Sequence, residues 1–176
     1  MPVTQFNLAD HQRAERKKLL TVAEWQETSE GSTVTHSVRE LLGRRTEDSS
    51  IEYNADIATS TDILGINYTD INKTQPQQDF DPYLILGGSK LGAKLNDIRR
   101  RNALSELNQF TIYIITAFCG EDGAYEAEKH VNCTITYNSM GGDANVNFPI
   151  SVYLSNDSVT GTVDKLGDDF EFTQDI

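Results

Sequence analysis

A single stretch, Ser89 to Phe118, constrains the fold most, because it joins one amphipathic helix to one strongly apolar strand. Ser89 is placed to accept a hydrogen bond from a first-turn N–H and so to cap the helix. Leu91, Leu95 and Ile98 follow at steps of four and three residues and form one apolar stripe, which lapses at Asn102. A helix with one apolar stripe must pack on a sheet.

The strand that follows, Phe110 to Phe118, is apolar on both faces. Phe110, Ile112, Ile114 and Phe118 share one face, while Tyr113, Ile115 and Ala117 share the other. A strand with two apolar faces is typically covered on both sides. The sequence therefore predicts a central strand and places the helix on it.

Alternating or short apolar runs predict the remaining strands. They are Leu19 to Trp25, Val34 to Tyr53 (two strands or one long bent one), Ile63 to Ile71, Val131 to Tyr137, Val146 to Leu154 and Val159 to Val163. Asn54 to Asp62 and Thr74 to Asp79 are interpreted as loops, and Ser139 to Asp143 as a hairpin connection. Pro149 cannot donate to a ladder, so it marks an edge or a bulge.

This pattern of about seven or eight strands and one substantial helix predicts an α+β domain, an antiparallel β-sandwich or barrel with one packed helix. The 176 residues suit one domain. We expect an N-terminal arm at 1–18, the sandwich at 19–166 and an acidic C-terminal arm at 167–176. No apolar run predicts a transmembrane helix or a secretory signal. Two cysteines predict folding in a reducing cytoplasm.

The net charge of −12 argues against a surface that grips nucleic acid. The charge is concentrated toward the end of the chain, where residues 111–176 hold eleven acids and two bases. Two interpretations remain open at this point. The acids either form a self-repelling, soluble surface or line a surface that must not adhere to another polyanion.

Motifs with catalytic or ligand-binding chemistry are weak in this sequence. Gly87-Gly88-Ser89-Lys90 precedes a helix, but it lacks the spacing of a phosphate loop and favours a plain helix entry. Cys119, His130 and Cys133 are too few for a zinc site, and a Cys119–Cys133 disulfide stays open. We therefore expect no catalytic residues, no metal, no cofactor and no enzymatic activity.

Three consecutive cations, Arg99, Arg100 and Arg101, lie near the end of the predicted helix, where they suit the helix dipole. They are interpreted as a solvated helix end, as an ion-pair contact with another acidic subunit, or as a phosphate-binding group. Acid pairs such as Glu121-Asp122 and Asp168-Asp169 favour solvated turns over catalytic dyads.

Short motifs in collinear order resemble the major tail proteins of bacteriophages with long non-contractile tails. The first part of the chain contributes Glu47-Asp48-Ser49-Ser50-Ile51-Glu52-Tyr53-Asn54, Thr61-Asp62-Ile63-Leu64-Gly65 and Gln77-Gln78-Asp79-Phe80-Asp81-Pro82-Tyr83. The later part contributes Gly87-Gly88-Ser89-Lys90-Leu91, Asp97-Ile98-Arg99-Arg100, Gly141-Gly142-Asp143, Val146-Asn147-Phe148-Pro149-Ile150 and Gly161-Thr162-Val163-Asp164. The resemblance covers about residues 38–165, and its specificity lies in the order of the motifs.

The resemblance implies a virion protein, assembled in the host cytoplasm, whose hexameric rings stack into a tail tube. Its partners would be copies of itself and other tail proteins, and DNA would leave through the lumen without specific binding. In this family, loops bridge neighbouring subunits. By position, the resemblance implies that the bridging loops of this chain contain Asn54, Asp56, Asp62, Thr74, Gln77 and Asp81. An acidic lumen would repel DNA; Asp143 and Asp157 are our candidates for it.

Three other interpretations remain open. The chain is alternatively a different tail component, such as a contractile-tail tube or tail-completion protein. A β-sandwich that binds sugar or peptide is the next interpretation, although Trp25 is the only tryptophan and the tyrosines are dispersed. An enzyme is the last.

Overall fold

The computed structural model describes residues 6–28 and 33–175. Three parts of the sequence predictions fall outside these ranges. They are the first five residues of the N-terminal arm, most of the turn predicted between Glu27 and Thr33, and Ile176 at the end of the acidic arm.

Within the described residues the chain forms eleven strands and one α-helix, so the α+β class is confirmed. The first six strands precede the helix and are β1 (Leu19–Thr28), β2 (Thr35–Leu41), β3 (Ile51–Glu52), β4 (Asp56–Thr61), β5 (Asn67–Lys73) and β6 (Gln77–Phe80). The helix and the later strands are α1 (Lys90–Arg101), β7 (Phe110–Glu121), β8 (Ala124–Tyr137), β9 (Ile150–Tyr153), β10 (Ser158–Val163) and β11 (Phe172–Gln174). Short 3₁₀ turns cover Arg16–Lys18 and Leu104–Asn108.

Two antiparallel sheets share the long strand β8. The first sheet runs β2-β1-β7-β8-β10-β11, and the second runs from the end of β8 through β9 and β6 to β3. Along one edge of β8, β10 pairs with residues 125–130 and β9 pairs with residues 134–137. β8 therefore continues from one sheet into the other, and β9 and β10 follow it.

The helix forms as the sequence predicts. Ser89 Oγ accepts a hydrogen bond from the N–H of Gly92 at 3.1 Å, and Asn102 ends the helix in the left-handed conformation with φ 54°. Leu91, Leu95 and Ile98 are fully buried in one cluster with residues of both sheets. The predicted apolar stripe is thus the face that closes the main core.

The central position predicted for Phe110 to Phe118 is also confirmed. β7 pairs with β1 on one side and with β8 on the other. Phe110, Ile112 and Ile114 face the main core under α1. Tyr113 and Ile115 face a second, smaller core, so both sides of this strand are covered.

The C-terminal segment covers this second core. Phe170 is buried against Tyr113 with ring centroids 5.0 Å apart, and β11 pairs with β10. The Arg39 guanidinium lies 4.3 Å from the Phe170 ring centroid and donates a hydrogen bond to the Phe170 carbonyl at 2.5 Å. Residues 170–174, within the predicted acidic arm, therefore pack on the sandwich. We call them the C-terminal strap.

Two segments interpreted as loops are instead strands. Asn54 to Asp62 contains β4, which pairs with β5, and Thr74 to Asp79 contains most of β6, which pairs with β3 and β9. Both segments are polar, so neither shows the apolar alternation that predicts a strand. The β-branched residues Ile57, Thr59 and Thr61 in β4 nevertheless favour an extended backbone.

Two predicted strands have different limits in the structure. The strand expected from Ile63 to Ile71 spans Asn67–Lys73, because Ile63 to Gly65 form its turn. The strand expected from Val146 to Leu154 is reduced to Ile150–Tyr153. Pro149 precedes it and lacks an N–H for the ladder. The connection from β8 to β9 consequently spans residues 138–149 instead of the short hairpin predicted at Ser139 to Asp143.

Candidate assembly surface

The most exposed element of the molecule is the hairpin of β4 and β5, which forms a two-stranded sheet of its own. Every residue in both strands is exposed. The hydrogen bonds of residues 56–73 stay within the hairpin. With roughly 3.4 Å per residue along six paired positions, the hairpin extends about 20 Å from its base.

Apolar side chains cover this hairpin although it packs on no core. Ile57 lies opposite Ile71 on one face, and both are more than half exposed. At the tip, Ile63 is fully exposed and Leu64 is 77% exposed. An isolated two-stranded hairpin is marginally stable in water. Exposed apolar groups that cluster on one element are typical of a protein–protein contact.

The carboxylate of Asp62 organises the hairpin tip. Its Oδ1 accepts hydrogen bonds from the N–H groups of Leu64 at 2.8 Å and Ile66 at 2.9 Å, and its Oδ2 accepts one from the Tyr68 hydroxyl at 3.0 Å. The N–H of Ile66 and the Tyr68 hydroxyl hold the pKa of Asp62 below its usual range. The carboxylate therefore stays ionised and presents Ile63 and Leu64 in a fixed turn.

The residues proposed for bridging loops divide between the hairpin and the body. Asp56 and Asp62 lie on the hairpin, and Asn54 closes its base by donating a hydrogen bond to the Gln75 carbonyl at 3.2 Å. The others belong to the sandwich. The Thr74 carbonyl accepts a hydrogen bond from the Asn156 side chain, Gln77 lies in β6, and the Asp81 carboxylate accepts a hydrogen bond from the Asn147 side chain.

The three arginines differ in their surroundings. Arg101 forms ion pairs inside the chain, to Asp97 at 2.7 Å and to Glu106 at 2.9 Å. Hydrogen bonds from Arg101 and Lys94 hold the pKa of Glu106 at about 2. Arg99 donates to Asn96 at 3.0 Å. Arg100 is exposed and has no ion pair among the described residues, so it is the cation best placed to meet another molecule.

The acids proposed for a channel wall are both exposed and lie outside the strands. Asp143 lies in the connection between β8 and β9, and Asp157 in the turn between β9 and β10. Asp157 precedes β10, and its carbonyl accepts a hydrogen bond from the N–H of Val131 at 3.1 Å.

The glycine loop before α1 holds a carboxylate of the protein itself. Glu40 Oε2 accepts hydrogen bonds from the N–H groups of Lys90 at 2.5 Å and Leu91 at 2.8 Å, and Oε1 accepts one from the Ser89 hydroxyl at 2.9 Å. These are the groups that would hold an anion at a helix N-terminus. Sequence reasoning missed Glu40, because it is fifty residues away and only the fold brings it there.

The two cysteines are buried, free thiols. Cys133 pairs with Phe110 at the start of β7, whereas Cys119 lies near the end of β7, so the open question of a disulfide is resolved against it.

Within the described residues, no group of three or more His, Cys, Asp or Glu side chains has the arrangement of a metal site. None of the helices in that part of the chain has the length and apolar character needed to cross a membrane.

The sequence matches no model of a known protein family, and a search of curated proteins also finds no match.

Proposed function

We propose that the chain is a structural subunit of a bacteriophage tail tube, which self-assembles into stacked hexameric rings through which DNA is ejected. The observation that carries the proposal is the exposed hairpin of β4 and β5, whose apolar side chains have no core to pack on. The motif order of the sequence supports the same function.

The energetics of the hairpin favour burial against another copy. Burying one Ile or Leu side chain contributes roughly 1.5–3 kcal/mol. Ile57, Ile63, Leu64 and Ile71 all remain at least half exposed in the single chain. A contact that covers them gains a stabilisation that the monomer lacks, so the hairpin supplies a driving force for assembly.

The sheet edges provide a second kind of contact. Among the described residues, β2 pairs only with β1, and β11 pairs only with β10, so the first sheet has an open edge at each end. An open edge presents unpaired N–H and C=O groups to a neighbouring strand. Copies arranged around a ring would satisfy both edges without any other partner.

The charge of the chain suits a conduit for DNA. A net charge of −12 gives the assembled wall a negative field that repels phosphates. A basic wall would bind the genome and slow its passage. In this proposal the protein positions no catalytic group and needs no cofactor.

Electron microscopy of the purified protein tests the proposal directly. We expect six-membered rings or tubes that increase with protein concentration. A β-sandwich that binds sugar or peptide would instead remain monomeric. Persistent monomers at high concentration, together with normal tails on particles made without this protein, would overturn the proposal.

A hairpin variant tests the observation on which the proposal rests. Replacing Ile63 and Leu64 by serine is expected to abolish tubes while leaving the unfolding transition unchanged, because neither side chain contacts the core. The matched control replaces two other exposed apolar residues, Leu104 and Met140, by serine. Equal loss of assembly in both variants would show that the hairpin has no special role.

A further inference from the structure

A groove of about 350 Å³ lies where β1 extends beyond the end of β2. β2 ends with Leu41 opposite Val22, so Leu19 and Leu20 pair only with β7. Leu42 N–H donates to the Thr21 carbonyl at 2.9 Å, and the chain then turns away. Apolar side chains line the groove: Leu19, Leu20 and Leu41 are half-buried along it, and Leu42 and Phe80 are buried at its base.

The rim of the groove has the opposite charge to the hairpin. Arg16, Lys17 and Arg44 contribute three cations, against the carboxylates of Glu47 on the rim and Glu15, which pairs with Lys17 at 2.6 Å. Arg16 donates hydrogen bonds to the Ser49 and Leu19 carbonyls, which fixes its charge beside the opening. Hairpin residues 54–75 hold three aspartates and one lysine.

We propose that this groove accepts the hairpin tip of a neighbouring copy, with Ile63 and Leu64 inserted among the leucines. The inference rests on the proposed function and adds the surface that the tip contacts. A cavity of roughly 150 Å³ holds a benzene molecule. A groove of about 350 Å³ therefore has room for two branched aliphatic side chains.

The arrangement also determines the kind of assembly. Tip and groove are different surfaces of one chain, so each copy offers one of each to different neighbours. Such heterologous contacts generate closed rings or open helical stacks. A contact of the tip with an identical tip would end at a dimer.

Disulfide trapping tests the contact in the full chain. The double variant Ile63→Cys and Lys17→Cys places one thiol at the tip and one on the groove rim, and both positions are exposed. The matched control is Ile63→Cys with Lys165→Cys, which moves the second thiol to the exposed turn after β10. The native cysteines are buried. Each protein is oxidised mildly before and after assembly and examined on a non-reducing gel.

We expect the first variant to give a ladder of cross-linked oligomers after assembly, and the control to give at most dimers. A tip mutation, Leu64→Asp, should raise the concentration needed for assembly by about tenfold or more. Tubes without the ladder would overturn the tip–groove contact and leave the proposed function intact. If the protein forms neither tubes nor cross-links under any condition, the proposed function is overturned as well. A ladder of equal yield in the control would also refute the specific contact.

Discussion

At the residue scale, one carboxylate determines how α1 begins. Glu40 comes from β2 and accepts hydrogen bonds from the N–H groups of Lys90 and Leu91 and from the Ser89 hydroxyl. A negative charge at a helix N-terminus is favoured by the helix dipole. The same side chain therefore satisfies the helix and fixes it against the sheet.

We predict that Glu40→Ala lowers the free energy of unfolding by about 2 kcal/mol or more, because it leaves N–H groups at a partly buried helix end without acceptors. Chemical denaturation followed by circular dichroism measures the change. The control is Glu47→Ala, an exposed acid for which a change within about 0.5 kcal/mol is expected. Equal effects of the two substitutions would contradict this role for Glu40.

His130 is a buried titratable group that faces acceptors on both ring nitrogens. Nδ1 lies 2.8 Å from the Ser155 carbonyl, and Nε2 lies 3.3 Å from Glu128 Oε2. Burial alone lowers the pKa of His130, but the hydrogen bonds to Glu128 and Ser155 outweigh burial and leave the pKa above its ordinary value. The paired, protonated ring therefore stabilises the fold.

The sign of the pH dependence follows from this raised pKa. The contribution of His130 is fully present below its unfolded pKa of about 6.5 and is lost as pH rises through the higher folded pKa. As pH rises from the unfolded pKa through the folded pKa of His130, we expect the free energy of unfolding to decline more in the unsubstituted protein than in His130→Gln. Denaturation series at several pH values measure the difference between the two proteins. The contributions of the other histidines are present in both proteins and cancel in this difference. Parallel pH profiles would refute the prediction.

At the element scale, the C-terminal strap closes the second core. Phe170 is buried, and β11 adds a strand beside β10. Arg39 holds the strap through the Phe170 carbonyl while it pairs with Glu24 at 2.5 Å. The acidic end of the chain is therefore joined to the sandwich by two aromatic side chains and one arginine.

We predict that Phe170→Ala costs about 3–5 kcal/mol of unfolding free energy, since it removes a buried aromatic side chain and opens Tyr113 and Ile115 to water. Thermal and chemical unfolding measure the loss. Leu166→Ala, at an exposed position between β10 and the strap, is the control and should have little effect. A small effect at Phe170 would mean that the strap contributes little to the second core.

Elements with strong apolar periodicity could be predicted from the sequence, and elements without it could not. Leu91, Leu95 and Ile98 gave the helix face, and the two apolar faces of β7 gave its central position. The hairpin was missed in part because its strands face water on both sides, so burial imposed no alternation on Ile57 to Thr61. The groove was not predictable, because it forms between segments that are distant in sequence.

The residues of the candidate assembly surface also divide into features that the sequence located and contacts that it did not predict. Asp62 was chosen by position alone, and the structure places its carboxylate inside the hairpin turn. Arg101 was proposed for contacts between subunits, yet its charge is paired with Asp97 and Glu106. Sequence spacing locates an exposed segment, but the partner of each charge depends on the tertiary fold.

At the scale of the whole molecule, the net charge of −12 would determine how DNA passes along the proposed tube. We predict that Asp143→Lys and Asp157→Lys slow DNA ejection if a map of the tube confirms that they face the lumen, because cations there bind phosphates. Ejection kinetics and infectivity measure the effect. The control is an acid that the same map places on the outer wall. Unchanged ejection for a lumen-facing variant would contradict the proposed role of the charge.

The strand β8 has a mechanical consequence for such a tube. Because β8 belongs to both sheets and pairs with β10 and β9 on either side of a bulge at Asn132 (φ 56°), the two halves of the sandwich are joined by paired strands. Flexion of a long filament would then fall at the joints between copies, while each subunit moves as a stiff block. The bending stiffness of the filament would be set by its hairpins and sheet edges and would be largely independent of how tightly the core is packed.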